Sequence, residues 1–145
     1  MLKKLTKLFA KNTGTINFSR KSILVVDDSE LDRKIIAKLL SKTNYQLFFA
    51  ENGTVALQLA KEHRPDLILL DGIMPGLSGR EVCRILKKDL DIKHIPVIFL
   101  TGMESPTYIV NCYNLGAEQY LNKPINSKEL ISQIEVTLKE FDLAQ

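Results

Sequence analysis

From residue 22 onward, short continuous apolar runs alternate with longer stretches whose apolar residues recur every three or four positions. Residues 23–26, 47–50, 67–70 and 95–100 read as strands, because a strand covered on both faces has no polar side with which to alternate. A fifth, shorter strand is expected at about 118–122. The stretches between them predict amphipathic helices. Ser29 is placed to cap the first, whose apolar positions Leu31, Ile35, Ile36, Leu39 and Leu40 follow the helical period. Residues 54–63 give a second, with Val55, Ala56, Leu59 and Ala60 inward, and a third runs through Val82, Cys83, Ile85 and Leu86. Ser105-Pro106 opens a fourth, proline being tolerated at the first helical position, running through Ile109, Val110 and Tyr113 and ending near Leu115-Gly116. Ser127 opens the last, with Leu130, Ile131, Ile134 and Leu138 inward.

Five strands alternating with five helices make an α/β repeat. Five units are too few to close a barrel, so the expected fold is an open, doubly wound five-stranded parallel sheet with helices on both faces. In such sheets ligands bind at the carboxyl ends of the strands. Here the first strand ends at Asp27-Asp28, the third at Asp71, the fourth at Thr101 and the fifth at Lys123. Taken singly these residues say little, since an aspartate after a strand often caps a helix and a lysine is usually on the surface. Taken together they bring three carboxylates, a hydroxyl and an ammonium to one edge of the sheet.

Three neighbouring carboxylates repel, and a hard divalent cation relieves the repulsion; Mg²⁺ takes one or two carboxylates and keeps waters in its remaining positions. A hydroxyl and an ammonium facing that ion suit a tetrahedral anion. The reaction class this implies is phosphoryl transfer onto a carboxylate, with aspartate as nucleophile.

Composition narrows the partners. The chain has 145 residues and a net charge of +3, but residues 1–21 hold Lys3, Lys4, Lys7, Lys11, Arg20 and Lys21 and no acid, leaving 14 basic against 17 acidic residues in the rest. The basic balance belongs to a short arm, so a direct nucleic-acid surface is not expected. In that arm Leu2, Leu5, Leu8 and Phe9 share one side of a helical wheel and the lysines the other. Residues 1–20 therefore read as a basic amphipathic extension able to lie on an anionic membrane surface or dock in a partner's groove, ahead of a domain at 21–145. Cys83 and Cys112 lack zinc or redox spacing, and no stretch approaches the length of a membrane span or a secretory signal, so a cytoplasmic location is expected.

Val25-Val26-Asp27-Asp28-Ser29, Leu69-Leu70-Asp71-Gly72-Ile73-Met74-Pro75-Gly76, Leu100-Thr101-Gly102 and Gly116-Ala117-Glu118-Gln119-Tyr120-Leu121-Asn122-Lys123-Pro124 resemble, in order and spacing, the receiver domain of two-component response regulators. The resemblance covers about residues 21–143. It implies a flavodoxin-like strand order 2-1-3-4-5 and a switch that receives a phosphoryl group on Asp71 from a histidine kinase or histidine phosphotransfer protein. It also implies that Asp28, Asp71 and the Ile73 backbone carbonyl ligate Mg²⁺, while Asp27 holds a metal-bound water. Thr101 and Lys123 would each meet a phosphoryl oxygen, and the Gly72 and Gly102 backbone N–H groups would complete the cradle. Tyr120 matches the family's switch aromatic, and Pro124 is expected to follow a cis bond. Output is expected through the face of the fourth helix, fifth strand and last helix, by docking an effector or a second copy, with no effector domain of its own. Ile73 and Met103, two residues beyond Asp71 and Thr101, are apolar, which implies a slowly hydrolysing phosphoaspartate.

Two other readings are weighed. A metal-dependent aspartyl phosphatase wants its two acids two residues apart after the first strand, a spacing Asp27-Asp28-Ser29-Glu30 lacks. An adaptor that never takes up phosphate would keep the fold and use only its surfaces. The chain is expected to catalyse no more than its own phosphotransfer and dephosphorylation.

Overall fold

The computed structural model describes residues 20–103 and 105–144. Strands β1 (Ser22–Val26), β2 (Gln46–Ala50), β3 (Leu67–Leu70), β4 (Val97–Thr101) and β5 (Gln119–Asn122) alternate with helices α1 (Glu30–Leu39), α2 (Gly53–His63), α3 (Gly79–Lys88), α4 (Pro106–Asn114) and α5 (Ser127–Ala144). All strand pairings are parallel, and the sheet order is β2-β1-β3-β4-β5, as expected. The amphipathic arm, apart from Arg20, lies outside the described residues.

Successive side chains of a strand point to opposite faces, and the two faces are covered by different helices. On one side Leu24, Val26, Ile68, Leu70, Val97 and Phe99 pack with residues of α2, α3 and α4. On the other, Ile23, Val25, Leu67, Leu69, Ile98 and Leu100 pack with Ile36 and Leu40 at α1 and with Leu130, Ile134 and Leu138 of α5. Burial on both faces is why β1, β3 and β4 are continuously apolar.

Helix starts follow local hydrogen bonding. Ser29 Oγ accepts from the Asp32 N–H at 3.2 Å, and Asn52 Oδ1 accepts from Val55 N–H at 2.9 Å, which brings α2 forward to Gly53. Ser78 and Glu81 form a reciprocal capping box at α3. Ser105 makes no side-chain cap, and Pro106 opens α4. Asn126, rather than Ser127, caps α5, its Oδ1 accepting from Lys128 N–H at 2.9 Å and Glu129 N–H at 3.2 Å. β4 begins at Val97, two residues later than expected. Pro96 has no N–H for the ladder, and the Ile95 N–H closes a turn on Ile92.

In three helices some of the apolar residues singled out from the sequence face solvent instead of the sheet. In α1, Ile36 and Leu40 are buried while Leu31 is 67% and Ile35 44% exposed. In α4, Tyr108 and Cys112 are buried while Val110 and Tyr113 are exposed. In α3, Val82, Cys83 and Leu86 are buried while Ile85 is exposed. In α1 and α4 two stripes at four-residue spacing lie side by side, and the sheet covers only one of them.

Candidate functional site

The backbone ladder extends past the strand ends and sets the polar residues on one edge. Asp27 N–H donates to the Ala50 carbonyl (3.1 Å), Asp71 N–H to Val26 (2.9 Å) and Lys123 N–H to Thr101 (3.1 Å). Asp27, Asp71 and Thr101 are buried and Asp28 is exposed. The carboxylates of Asp27, Asp28 and Asp71 each offer an oxygen, and these oxygens lie within 4.8 Å of one another.

Each carboxylate oxygen at the centre faces a different way. Asp27 Oδ1 accepts from Ser29 N–H at 2.9 Å, and its Oδ2 accepts from Lys123 Nζ at 2.7 Å. Asp71 Oδ1 accepts from Ile73 N–H at 3.2 Å, and its Oδ2 stands 3.5 Å from Lys123 Nζ. Burial, followed by the nearby Asp27, pushes the Asp71 carboxyl up to about 6; Lys123 and the Ile73 N–H work in the opposite sense. Burial also opposes the charge on Lys123, but its hydrogen bonds to Asp27 and Asp32 prevail and hold its pKa above the ordinary lysine value.

The carboxylate cluster fits a hard divalent cation. It offers oxygen donors, one of them exposed and so open to a hydrated ion, and the two neighbouring acids Asp27 and Asp28 both disfavour charge on Asp71, a repulsion that a cation would relieve.

The remaining expected residues gather around this centre. Thr101 Oγ1 accepts from Met103 N–H at 3.4 Å. Tyr120 is half-buried and meets Tyr108 edge to face, with ring centroids 6.4 Å apart. The Lys123–Pro124 peptide is cis. Gly72 is buried, Gly102 is exposed with open space where a side chain would be, and the Ile73 side chain is exposed.

Several residues at the site were not singled out from the sequence. Asp32 accepts from Lys123 Nζ at 2.9 Å; its one sequence signal is an acid in the first turn of a helix that begins at the site. Arg33 donates to the Asp27 carbonyl at 2.6 Å. Gly79 lets α3 approach the acid-bearing loop, since a Cβ there would overlap the Asp71 carbonyl oxygen and lie 2.7 Å from Gly72 Cα. Tyr108 reaches back over Gly72, and a Cβ on Gly72 would overlap its hydroxyl.

A doubly wound sheet with an acidic cluster and a lysine at its carboxyl edge defines the receiver class of signalling domain. The response regulator receiver domain family matches residues 23–135, and the chain belongs to that family. It is 40% identical over 115 residues to the polar-differentiation response regulator DivK of Brucella anthropi, a match covering 79% of this chain and 94% of DivK. It is also 40% identical over 120 residues to histidine kinase P4 of Formosa agariphila, covering 83% of this chain but 9% of that kinase. Among solved structures, the CheY-like receiver domain protein of Methanospirillum hungatei superposes with a TM-score of 0.82 at 27% identity, covering 88% of this chain and all of that one. Chemotaxis protein CheY4 of Vibrio cholerae gives 0.76 at 29% identity, covering 81% and 98%. The chain is thus a receiver domain of two-component signalling. Among the described residues no helix is long and apolar enough to cross a membrane.

Proposed function

We propose that residues 21–145 act as a phosphorylation switch whose acceptor is Asp71. The observation that carries this is the arrangement around one carboxylate: Asp71 is buried beside Asp27 and Asp28, with Lys123 Nζ 3.5 Å from its Oδ2. In this reading an Asp71 oxygen attacks the phosphorus of a phosphohistidine on a histidine kinase or phosphotransfer protein. A P–O bond forms as the P–N bond breaks, and the imidazole leaves with the electron pair. Asp28, Asp71 and the Ile73 carbonyl would hold Mg²⁺ directly and Asp27 through water; when bound, the ion neutralises the charge that develops on the phosphoryl oxygens. Lys123 meets one phosphoryl oxygen, Thr101 turns inward to donate to another, and the Gly72 and Gly102 N–H groups serve the rest. Tyr120 then takes the space Thr101 leaves, and the α4–β5–α5 surface changes toward an effector or a second copy. The added group is a compact charge acting on a two-state element.

Intact mass after incubation with acetyl phosphate and Mg²⁺, beside Asp71→Ala, tests this. One added phosphoryl group, lost in the variant and without Mg²⁺, is expected. No addition under any condition would leave the fold as an adaptor that works through its surfaces alone.

A further inference from the structure

Tyr108 stands out among the buried polar groups. It lies in the first turn of α4 and is 7% exposed, and its hydroxyl oxygen has no hydrogen-bond partner among the described residues. Burying a hydroxyl without a partner is unfavourable, because the hydrogen bonds it made to water are lost and not replaced. The hydroxyl occupies the space that a side chain on Gly72, the residue after Asp71, would fill. A Cβ on Gly72 would overlap it and would also lie 3.3 Å from Thr101 Oγ1, so the two hydroxyls flank the same small volume beside the acceptor.

The ring is held in place from two sides. The Arg80 guanidinium sits 4.6 Å from its centroid, and Tyr120 meets it edge-on. Burial pushes the phenol up to about 12, so it stays protonated and presents a donor to an anion.

We propose that the Tyr108 hydroxyl is a further donor to the group carried on Asp71, hydrogen-bonding a phosphoryl oxygen on the Gly72 side of the site. This rests on the reading of Asp71 as acceptor. In the unmodified protein the buried donor has no partner among the described residues; the phosphoryl group supplies an ionised one. Because Tyr108 belongs to α4, the bond pulls directly on that helix, in parallel with the route from Thr101 to Tyr120 on β5.

The test uses the full chain and the phosphoryl mimic beryllium fluoride with Mg²⁺, comparing the unsubstituted protein with Tyr108→Phe. A hydrogen bond to a charged group predicts binding of the mimic about tenfold weaker in the variant. In ¹⁹F spectra one bound-fluoride resonance should move, while intact mass still shows acetyl phosphate modifying Asp71. Without the mimic, Tyr108→Phe should melt at the same or a higher temperature, since it removes a buried hydroxyl with no partner among the described residues. Equal affinity and unchanged ¹⁹F resonances would overturn the proposal. So would a loss of stability equally large with and without the mimic, which would mark the hydroxyl as purely structural. Failure of the unsubstituted protein to take either reagent on Asp71 would instead remove the acceptor reading, and this inference with it.

Discussion

Lys123 Nζ lies 2.7 Å from Asp27 Oδ2 but 3.5 Å from Asp71 Oδ2, so the ammonium is bonded to one carboxylate and only near the other. Its second close partner is Asp32 at 2.9 Å. Two acids therefore hold the cation beside the proposed acceptor without committing it there. At Asp71, burial and the Asp27 charge outweigh the ammonium.

The Asp71 pKa is raised in the fold, from 3.8 to about 6. A carboxyl whose folded pKa is raised binds its proton more tightly when folded. Its contribution to stability is complete below the unfolded value and is lost as pH rises through about 6. Without divalent metal, unfolding by urea should show the protein more stable near pH 4–5 than near pH 8, other groups aside. Asp71→Asn should flatten this dependence and raise stability at pH 7.5 by about 2–3 kcal/mol. It should also abolish phosphorylation.

Asp32 restrains Lys123 from the helix side. Its removal frees the ammonium to bond Asp27 and Asp71 more fully, in competition with a cation. Asp32→Asn should weaken Mg²⁺ binding about two- to fivefold, the scale of a partly exposed ion pair. Titration followed by tyrosine fluorescence measures it, and unchanged affinity would assign Asp32 no part in placing the lysine.

Gly79 has no room for a methyl group. Gly79→Ala must push α3 away from Asp71 and Gly72, at a cost of about 2–3 kcal/mol. Thermal melting gives the cost. The same variant should take up phosphate more slowly, because the acceptor loop moves with the helix.

Ile73 is 56% exposed and lies two residues beyond the proposed acceptor. An apolar side chain there cannot orient a hydrolytic water. Ile73→Asn should shorten the life of the phosphorylated form several-fold, read as decay of the phosphorylated mass. A half-life of seconds in the unsubstituted protein, not shortened by the substitution, would contradict this.

The sheet was legible in the sequence because β1, β3 and β4 are buried on both faces, and continuous apolar runs admit few other readings. The acids and the lysine were legible for a related reason: each ends such a run, where a charge is costly unless used. Helix orientation was harder to read. Tyr108 and Cys112 are less hydropathic than Ile109 and Val110, so the apolar pattern favoured the neighbouring stripe of α4. That choice also hid the Tyr108 hydroxyl from view. Asp32 was hidden differently, since an acid in the first turn of a helix is ordinary whether or not it meets a lysine 91 residues away. Contacts at that separation come only from the folded topology.

The close approach of Gly79 gives the site unequal stiffness. On the α3 side, the Gly79 N–H donates to the Gly72 carbonyl at 2.9 Å, and the Asp71 N–H is tied to Val26. On the opposite side, Thr101 Oγ1 accepts one long bond of 3.4 Å, and Gly102 has open space beside it. Asp71 therefore sits in a vice, one jaw pinned by short backbone hydrogen bonds and the other held by a single long one. A group added to Asp71 would then meet less resistance toward Thr101, and the fold itself would set the bearing along which the disturbance travels.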